Sequence, residues 1–468
     1  MRRRWRSFAG AAMVLAVATT LVGAGVSTAG AAGTGNRGAA TCTKPDPGVP
    51  PPPTPSPPTA TTVEQVYHCI FDNYYSGPVL DSRTLLVPAF AALTQELQRG
   101  QLDQPGATLP ALTGRKDADW TAFKAVYQRI ARALPDDEAR AAIATAAIEG
   151  MVEALDDNHA RWIYKRVPNL YGLGLSVIVG PGDIDPVADE PAYIDRIIAD
   201  SPVAKAGLRL GDELLAVNDV PLFVNGVFNE GVLSYLTTGD PGTTATFTVR
   251  RPVTGATFTV TATVDRYQNT RRVVESRLVD GNVAYVSLPG FEPQLADQVL
   301  AAIADLREQT NLRGVVLDLR GNGGGSPAAV ATLTGALAHG KITSYWCDVR
   351  ERCRPNRTDD SVELLNLPFV ALTDRRCASA CDSFSSAVKD LKLGTLVGTR
   401  TAGAVSGPGA AYLLDNGSGL MLPERHEIAA NKEIVNTIGV APDHYAPMTA
   451  ADLSAGRDPG LAKAVSLL

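Results

Sequence analysis

The chain has 468 residues, 45% of them hydrophobic and 20% charged, enough for two or three domains with apolar cores of their own. Its formal charge is -6 and it contains no basic stripe or aromatic-and-arginine platform, which argues against nucleic acid as a partner. The same proportions exclude a fibre or a disordered tail.

Arg2, Arg3, Arg4 and Arg6 precede an apolar run from about Phe8 to Val26 and small residues around Ala29-Gly30-Ala31, the layout of a signal peptide over residues 1–32. A secreted or cell-envelope protein is therefore expected, and no later segment is long and apolar enough to span a bilayer. Residues 33–62 are read as a linker, because Pro50 to Pro53, Pro55, Pro57 and Pro58 hold the chain extended. Six cysteines in an exported chain permit up to three disulfides. Proximity favours Cys42 with Cys69 and Cys347 with Cys353. Cys377 and Cys381, one helical turn apart, are expected to bridge each other only with distortion, or each to reach another loop.

Helical spacing of apolar residues dominates residues 63–167. Val63, Val66, Tyr67, Ile70 and Phe71 share one face, as do Phe123, Val126, Tyr127, Ile130 and Leu134. A further helix opens near Asp136 and runs through Ala144, Ile148, Met151, Val152 and Leu155. Residues 168–268 change to short strands such as Ala192 to Ile197 and the alternating Ala245 to Val249, set among Gly and Pro turns. Residues 269–449 mix strands (Val283 to Leu288, Gly314 to Leu319, Pro368 to Leu372) with helices near Leu295 to Glu308, Pro327 to His339 and Ala380 to Leu391. That alternation implies an α/β layer whose ligands approach at strand C-termini. Residues 450–468 are read as a C-terminal tail.

Two loops at such strand ends carry chemistry. Gly321-Asn322-Gly323-Gly324-Gly325 follows the buried strand Gly314 to Arg320, and Cys377-Ala378-Ser379-Ala380-Cys381-Asp382 opens an amphipathic helix. A hydroxyl at a helix N-terminus sits where unpaired N–H groups favour developing negative charge, and a glycine loop can aim another N–H at the same point. A phosphate cradle is the competing reading of the glycines, but the lysine and hydroxyl residue of a Walker loop are missing after them. No Gly-x-Ser-x-Gly elbow surrounds Ser379, which counts against the common esterase fold.

The stretch Ser201 to Asn218 resembles a PDZ domain, and Gly172-Leu173-Gly174-Leu175 stands where that family's glycine-rich loop receives a peptide's terminal carboxylate. The order from about Val63 to Tyr445, closing on Gly439-Val440-Ala441-Pro442-Asp443, resembles the C-terminal processing and tricorn-core serine peptidases. The resemblance implies an α/β multi-domain protein: a helical N-terminal domain, a PDZ-like β domain and a peptidase core of the tricorn-core, crotonase-like type. It places the nucleophile on Ser379 and the oxyanion donors on the backbone of Ala380 and of Gly323 or Gly324.

Ala404 stands where processing peptidases carry the lysine base, and a methyl group takes no proton. His159, in Asp156-Asp157-Asn158-His159, resembles the segment that supplies the base in the tricorn-like branch, and imidazole titrates near neutrality. His426 and His444 match nothing in the family. The group that orients the imidazole falls on Asn436, with Glu433 as a substitute. The reading is an exported serine endopeptidase that binds protein or peptide substrates by unstructured C-termini and needs no metal or other cofactor. An inactive family member that only holds protein tails is the alternative.

Overall fold

The structure is a computed structural model and describes residues 42–46, 54–164, 171–179, 191–225, 227–229, 232, 241–267 and 273–468. The expected signal peptide and the run Pro50 to Pro53 lie outside the described residues.

Thr59 starts the first helix, Ala60–Asn73, by a reciprocal exchange in which its N–H donates to Thr62 Oγ1 at 3.0 Å and its hydroxyl accepts from Thr62 N at 3.4 Å. Three more helices follow, Ser82–Arg99, Lys116–Ala133 and Asp137–Glu153, the last capped by the Asp136 carboxylate. Their apolar stripes close around Tyr67, Leu85, Phe123, Ile130 and Met151. This core does not end with the helices. It runs on into Tyr412, Leu420 and Leu422 of a hairpin more than 250 residues later, Gly409–Leu413 paired with Gly419–Pro423. Immediately after the fourth helix the chain turns and pairs Arg161–Ile163 against that hairpin, Arg161 opposite Met421, while Trp162 Nε1 donates to Ser418 Oγ at 2.9 Å.

A separate β unit follows, with strands in the order Ala256–Thr263, Thr244–Arg251, Glu213–Val217, Ala192–Ile197 and Leu175–Val179. Its core holds Leu173, Ile194, Val203, Leu214 and Phe247. The short helix Pro202–Lys205 is capped by Ser201.

The remaining sheet runs Glu275–Val279, Val283–Ser287, Gly314–Asp318, Phe369–Thr373, Thr395–Gly398, His444–Tyr445; the first pair is antiparallel and the others parallel. Gly314–Asp318 and Phe369–Thr373 are buried throughout, as central parallel strands must be. Helices Pro293–Gln309, Pro327–Gly335 and Ala380–Asp390 cover one face. The segment expected as a tail instead forms Ala450–Ser454 and Pro459–Ser466, and the second covers the opposite face through Leu461, Ala464 and Val465. Its start is held by Arg320, whose guanidinium bridges Asp318 and Asp458 at 2.6 and 2.7 Å. Among the described residues, no helix is long and apolar enough to cross a membrane.

Candidate active site

The buried strand Phe369–Thr373 ends in a turn over Asp374 to Ala378, and Ser379 then swings into the helix Ala380–Asp390. Ser379 has φ 58° and ψ -119°, a conformation that costs an L-residue on the order of 1–3 kcal/mol and persists only where the surroundings enforce it. Several contacts enforce it. Ala378 N donates to Asn322 O at 3.0 Å and Ala402 N to Cys377 O at 2.9 Å, which lock the turn to both neighbouring loops. The sulfurs of Cys377 and Cys381 are at disulfide distance across the serine. Distortion was expected of that pairing on a regular helix, but Cys377 lies before the backbone reversal and off the helix, which brings the two Cα atoms to 5.1 Å. The other sulfur pairs are Cys42 with Cys69 and Cys347 with Cys353.

Asp382, one turn into the helix, anchors the serine from within. It is fully buried, and its Oδ2 accepts from Ser379 N at 3.0 Å and Ala404 N at 2.9 Å. Its Oδ1 accepts from Gly403 N at 2.9 Å and from the Thr401 hydroxyl. Burial pushes its carboxyl up to about 6 in spite of these four donors. Ala404 therefore contributes only its backbone N–H to this anchor.

The glycine loop presses against the same point. A Cβ on Gly324 would lie 2.6 Å from both Ala378 O and Ser379 Cβ, and its φ of 101° also demands glycine. Asn322 is buried and shapes the loop, its amide donating to Leu288 O at 2.8 Å and its Oδ1 accepting from Gly324 N at 2.9 Å. The Gly324 N–H is thus already used, which removes it from the pair of expected oxyanion donors. No partner is found for the N–H groups of Gly323 and Ala380 among the described residues.

His159 is carried to Ser379 by the hairpin packing described above. Its Nε2 lies 3.2 Å from Ser379 Oγ, across 220 positions of sequence. On the other side of the ring, Nδ1 lies 2.6 Å from Asn158 Oδ1. Because Asn158 Oδ1 can only accept, Nδ1 carries the proton and Nε2 is left as an acceptor for the serine hydroxyl. Asp157 stands behind this pair: its Oδ1 accepts from His159 N at 2.9 Å and lies 4.0 Å from Nδ1, and its Oδ2 accepts from Tyr74 OH at 3.0 Å. Burial, with Arg161 nearby, holds the imidazole pKa below its ordinary value, and Asp157 opposes them.

The two residues expected to orient the ring do other things. Asn436 Oδ1 accepts from Val405 N at 3.2 Å, and Glu433 is exposed in a turn whose N–H donates to Asn431 Oδ1. Asn158 and Asp157 occupy the place assigned to them, a substitution made possible by the chain reversal at Asp156, φ 48°. His426 Nε2 faces Asp348 O at 3.3 Å and His444 lies on the edge strand, so neither is a partner of Ser379. In the β unit, Gly174 has φ 81° and a Cβ there would strike Ser201 Cβ at 2.2 Å. Gly172 pairs with Asp265, Leu173 is buried, and Leu175 begins the strand opposite Ile197. Local sequence pattern does not mark Asp382 or Asn322, whose partners come from distant loops, whereas Asn158 is marked by its adjacency to His159.

Fold and geometry together define a multidomain protein in which a mixed sheet presents a histidine-contacted serine beside a glycine loop, with a separate β unit attached. Residues 282–446 match peptidase family S41 and residues 162–223 match the PDZ domain. The matches to known proteins are to serine peptidases of the C-terminal processing type. The chain is 27% identical over 312 residues to the chloroplastic carboxyl-terminal-processing peptidase 1 of Arabidopsis thaliana, covering 63% of this chain and 61% of that one. It is 24% identical over 297 residues to the carboxy-terminal processing protease CtpA of Bacillus subtilis, covering 63% and 62%. The chain thus spans about three fifths of the length of these curated relatives. Its fold resembles the photosystem II D1 C-terminal processing protease, with TM-score 0.52 and 21% identity over 84% of this chain and 93% of that one.

Proposed function

We propose that this chain is an exported serine endopeptidase that captures unstructured protein C-termini and cleaves peptide bonds through a Ser379–His159 acyl-enzyme mechanism. The observation that carries the reading is the 3.2 Å contact between His159 Nε2 and Ser379 Oγ in a chain whose lysine position is Ala404. Segments 63–167, 168–268 and 269–449 act as helical, tail-binding and catalytic modules, the last of the tricorn-core, crotonase-like type.

A substrate terminus enters the PDZ-like module at Gly172 to Leu175 by β-strand addition, and the chain upstream of it lies across the serine. His159 Nε2 takes the hydroxyl proton as Oγ attacks the carbonyl carbon, and the N–H groups of Gly323 and Ala380 receive the oxyanion. The imidazolium then protonates the leaving amine, and a water repeats the sequence on the ester. Asn158 fixes the Nδ1–H tautomer, while Asp157 supplies a negative charge at 4.0 Å that favours the imidazolium.

Labelling with a fluorophosphonate probe at pH 7.5 tests the reading. Labelling of the intact chain that disappears in Ser379→Ala is the expected result. A chain that binds peptide tails but never labels would instead be a tail-holding module, the reading that the absent lysine favours.

A further inference from the structure

A pocket of about 250 Å³ opens beside Ser379, and nothing in the mechanism above uses it. At about 30 Å³ of liquid volume per water, it has room for roughly eight waters, more than one extended side chain requires. Its walls include Ser379, Ala380 and Ser383 of the serine's own helix, and Ala328, Val330 and Ala331 of the helix that follows the glycine loop. His159 is not among them.

That asymmetry says which side of the scissile bond the pocket serves. The leaving amine must lie against His159 Nε2 to be protonated, so the acyl portion lies on the side of Ser379 away from the ring. A cavity walled by Ser379 and the oxyanion donor Ala380, but not by His159, receives the side chain of the residue whose carbonyl is attacked.

The chemistry of the pocket is set by Glu427, on the strand His426–Ala429. Trp346 Nε1 donates to its Oε2 at 3.1 Å, and the Ser383 and Ser344 hydroxyls beside it favour the ionised carboxylate. Glu427 keeps partial exposure because it faces the cavity, although it sits deep in the protein. Burial raises its carboxyl above the ordinary range, and the nearby Asp382 carboxylate raises it further. Three methyl-bearing residues on one wall and an acid among hydroxyls on another match a side chain with an apolar stem and a cationic head. Arg357 is the cation among the lining residues, and it is exposed to solvent, where its charge is screened.

We propose that this cavity is the primary specificity pocket and that Glu427 makes the enzyme select lysine or arginine at the residue preceding the cleaved bond. The ammonium or guanidinium group pairs with the Glu427 carboxylate while its stem lies along Ala328, Val330 and Ala331. This rests on the serine peptidase reading of the same site, and it concerns which peptide bonds are cut.

The test uses the full secreted chain and internally quenched peptides that share one C-terminal tail and differ only at the residue before the scissile bond. Lysine and arginine peptides are expected to show kcat/KM at least thirtyfold above leucine and alanine peptides, and Glu427→Gln to lower that ratio at least tenfold. A wild-type preference for leucine or alanine overturns the proposal without any variant. Binding of p-aminobenzamidine to Ser379→Ala, followed by its fluorescence, reads the pocket without turnover. Saturable binding weakened at least tenfold in Ser379→Ala/Glu427→Gln supports the proposal, and no binding overturns it. Failure to label with fluorophosphonate while p-aminobenzamidine still binds would sink the peptidase reading alone. Labelling together with a leucine preference would sink the pocket assignment alone.

Discussion

Replacing Asp382 by Asn separates the anchoring of Ser379 from its chemistry. The two carboxylate oxygens face four donors, with Thr401 and Gly403 on Oδ1 and Ser379 and Ala404 on Oδ2. An amide has one oxygen, so two of these donors would face an NH2 group. A buried donor without a partner costs about 1–3 kcal/mol, which puts the hydrogen-bond loss at about 2–6 kcal/mol. A second contribution depends on pH. The folded-state pKa of about 6 lies above the unfolded 3.8, so the folded chain holds the proton more tightly. Stability from this group is therefore full below about pH 4 and is lost as pH rises through 6. At about 1.4 kcal/mol per unit, it weakens the wild type by about 2–3 kcal/mol between pH 4 and 7.5, and Asn, which does not titrate, removes that dependence. The destabilisation caused by Asp382→Asn should thus be about 2–3 kcal/mol larger at pH 4 than at pH 7.5. Urea unfolding of both proteins at the two pH values measures it, and fluorophosphonate labelling rates at pH 7.5 report the serine. An equal stability difference at both pH values, or a variant labelled at the wild-type rate, would refute this account of Asp382.

Two other substitutions probe the groups facing Ser379. His159→Ala should lower kcat about 10⁴-fold, the upper range for loss of a general base, and leave a residual rate that rises with hydroxide concentration. Since burial and Arg161 depress the imidazole, the acid limb of wild-type kcat/KM should have its midpoint below pH 6.5; a midpoint above 7 would contradict the neutral, buried ring. Gly324→Ala places a methyl carbon 2.6 Å from Ser379 Cβ at φ 101°, so its labelling rate should fall at least tenfold, and wild-type labelling would show that the loop yields freely.

Local pattern carries the parts of this protein whose causes are local. The strand Gly314–Asp318 and the helices Pro327–Gly335 and Ala380–Asp390 follow from apolar runs, proline starts and the placement of Gly. Ser379 stands out because its flanking residues are small and a helix begins at once. What escapes is set by partners far away in sequence. Asp382 reads as one more helical acid until Thr401, Gly403 and Ala404 come round to it. Glu427 reads as a strand residue beside a histidine, and only folding puts it on the wall of a cavity with Ser383. Asn436 was placed by its distance from a closing motif, yet its side chain turns to the backbone of Val405, where it braces the loop that holds Ala404. The Cys377–Cys381 pairing depends on the positive φ of the residue between them, which composition does not reveal.

On the proposed mechanism the base is His159, and Ala404 supplies only backbone. A base at position 404 would sit on the loop after Thr395–Gly398, beside Asp382 of the serine's own helix. His159 is supplied from outside the catalytic sheet. Its position follows from the Arg161–Ile163 strand, the Gly409–Pro423 hairpin and the apolar cluster that joins Leu420 and Leu422 to four helices. A displacement of about 1 Å in such a supporting shell can cost two orders of magnitude in rate. On the proposed mechanism, activity is therefore tied to the packing of the helical segment: a change that loosens the helices from the hairpin displaces His159 from Ser379, while the loop at Ala404 stays in place as scaffold, its N–H still bound to Asp382.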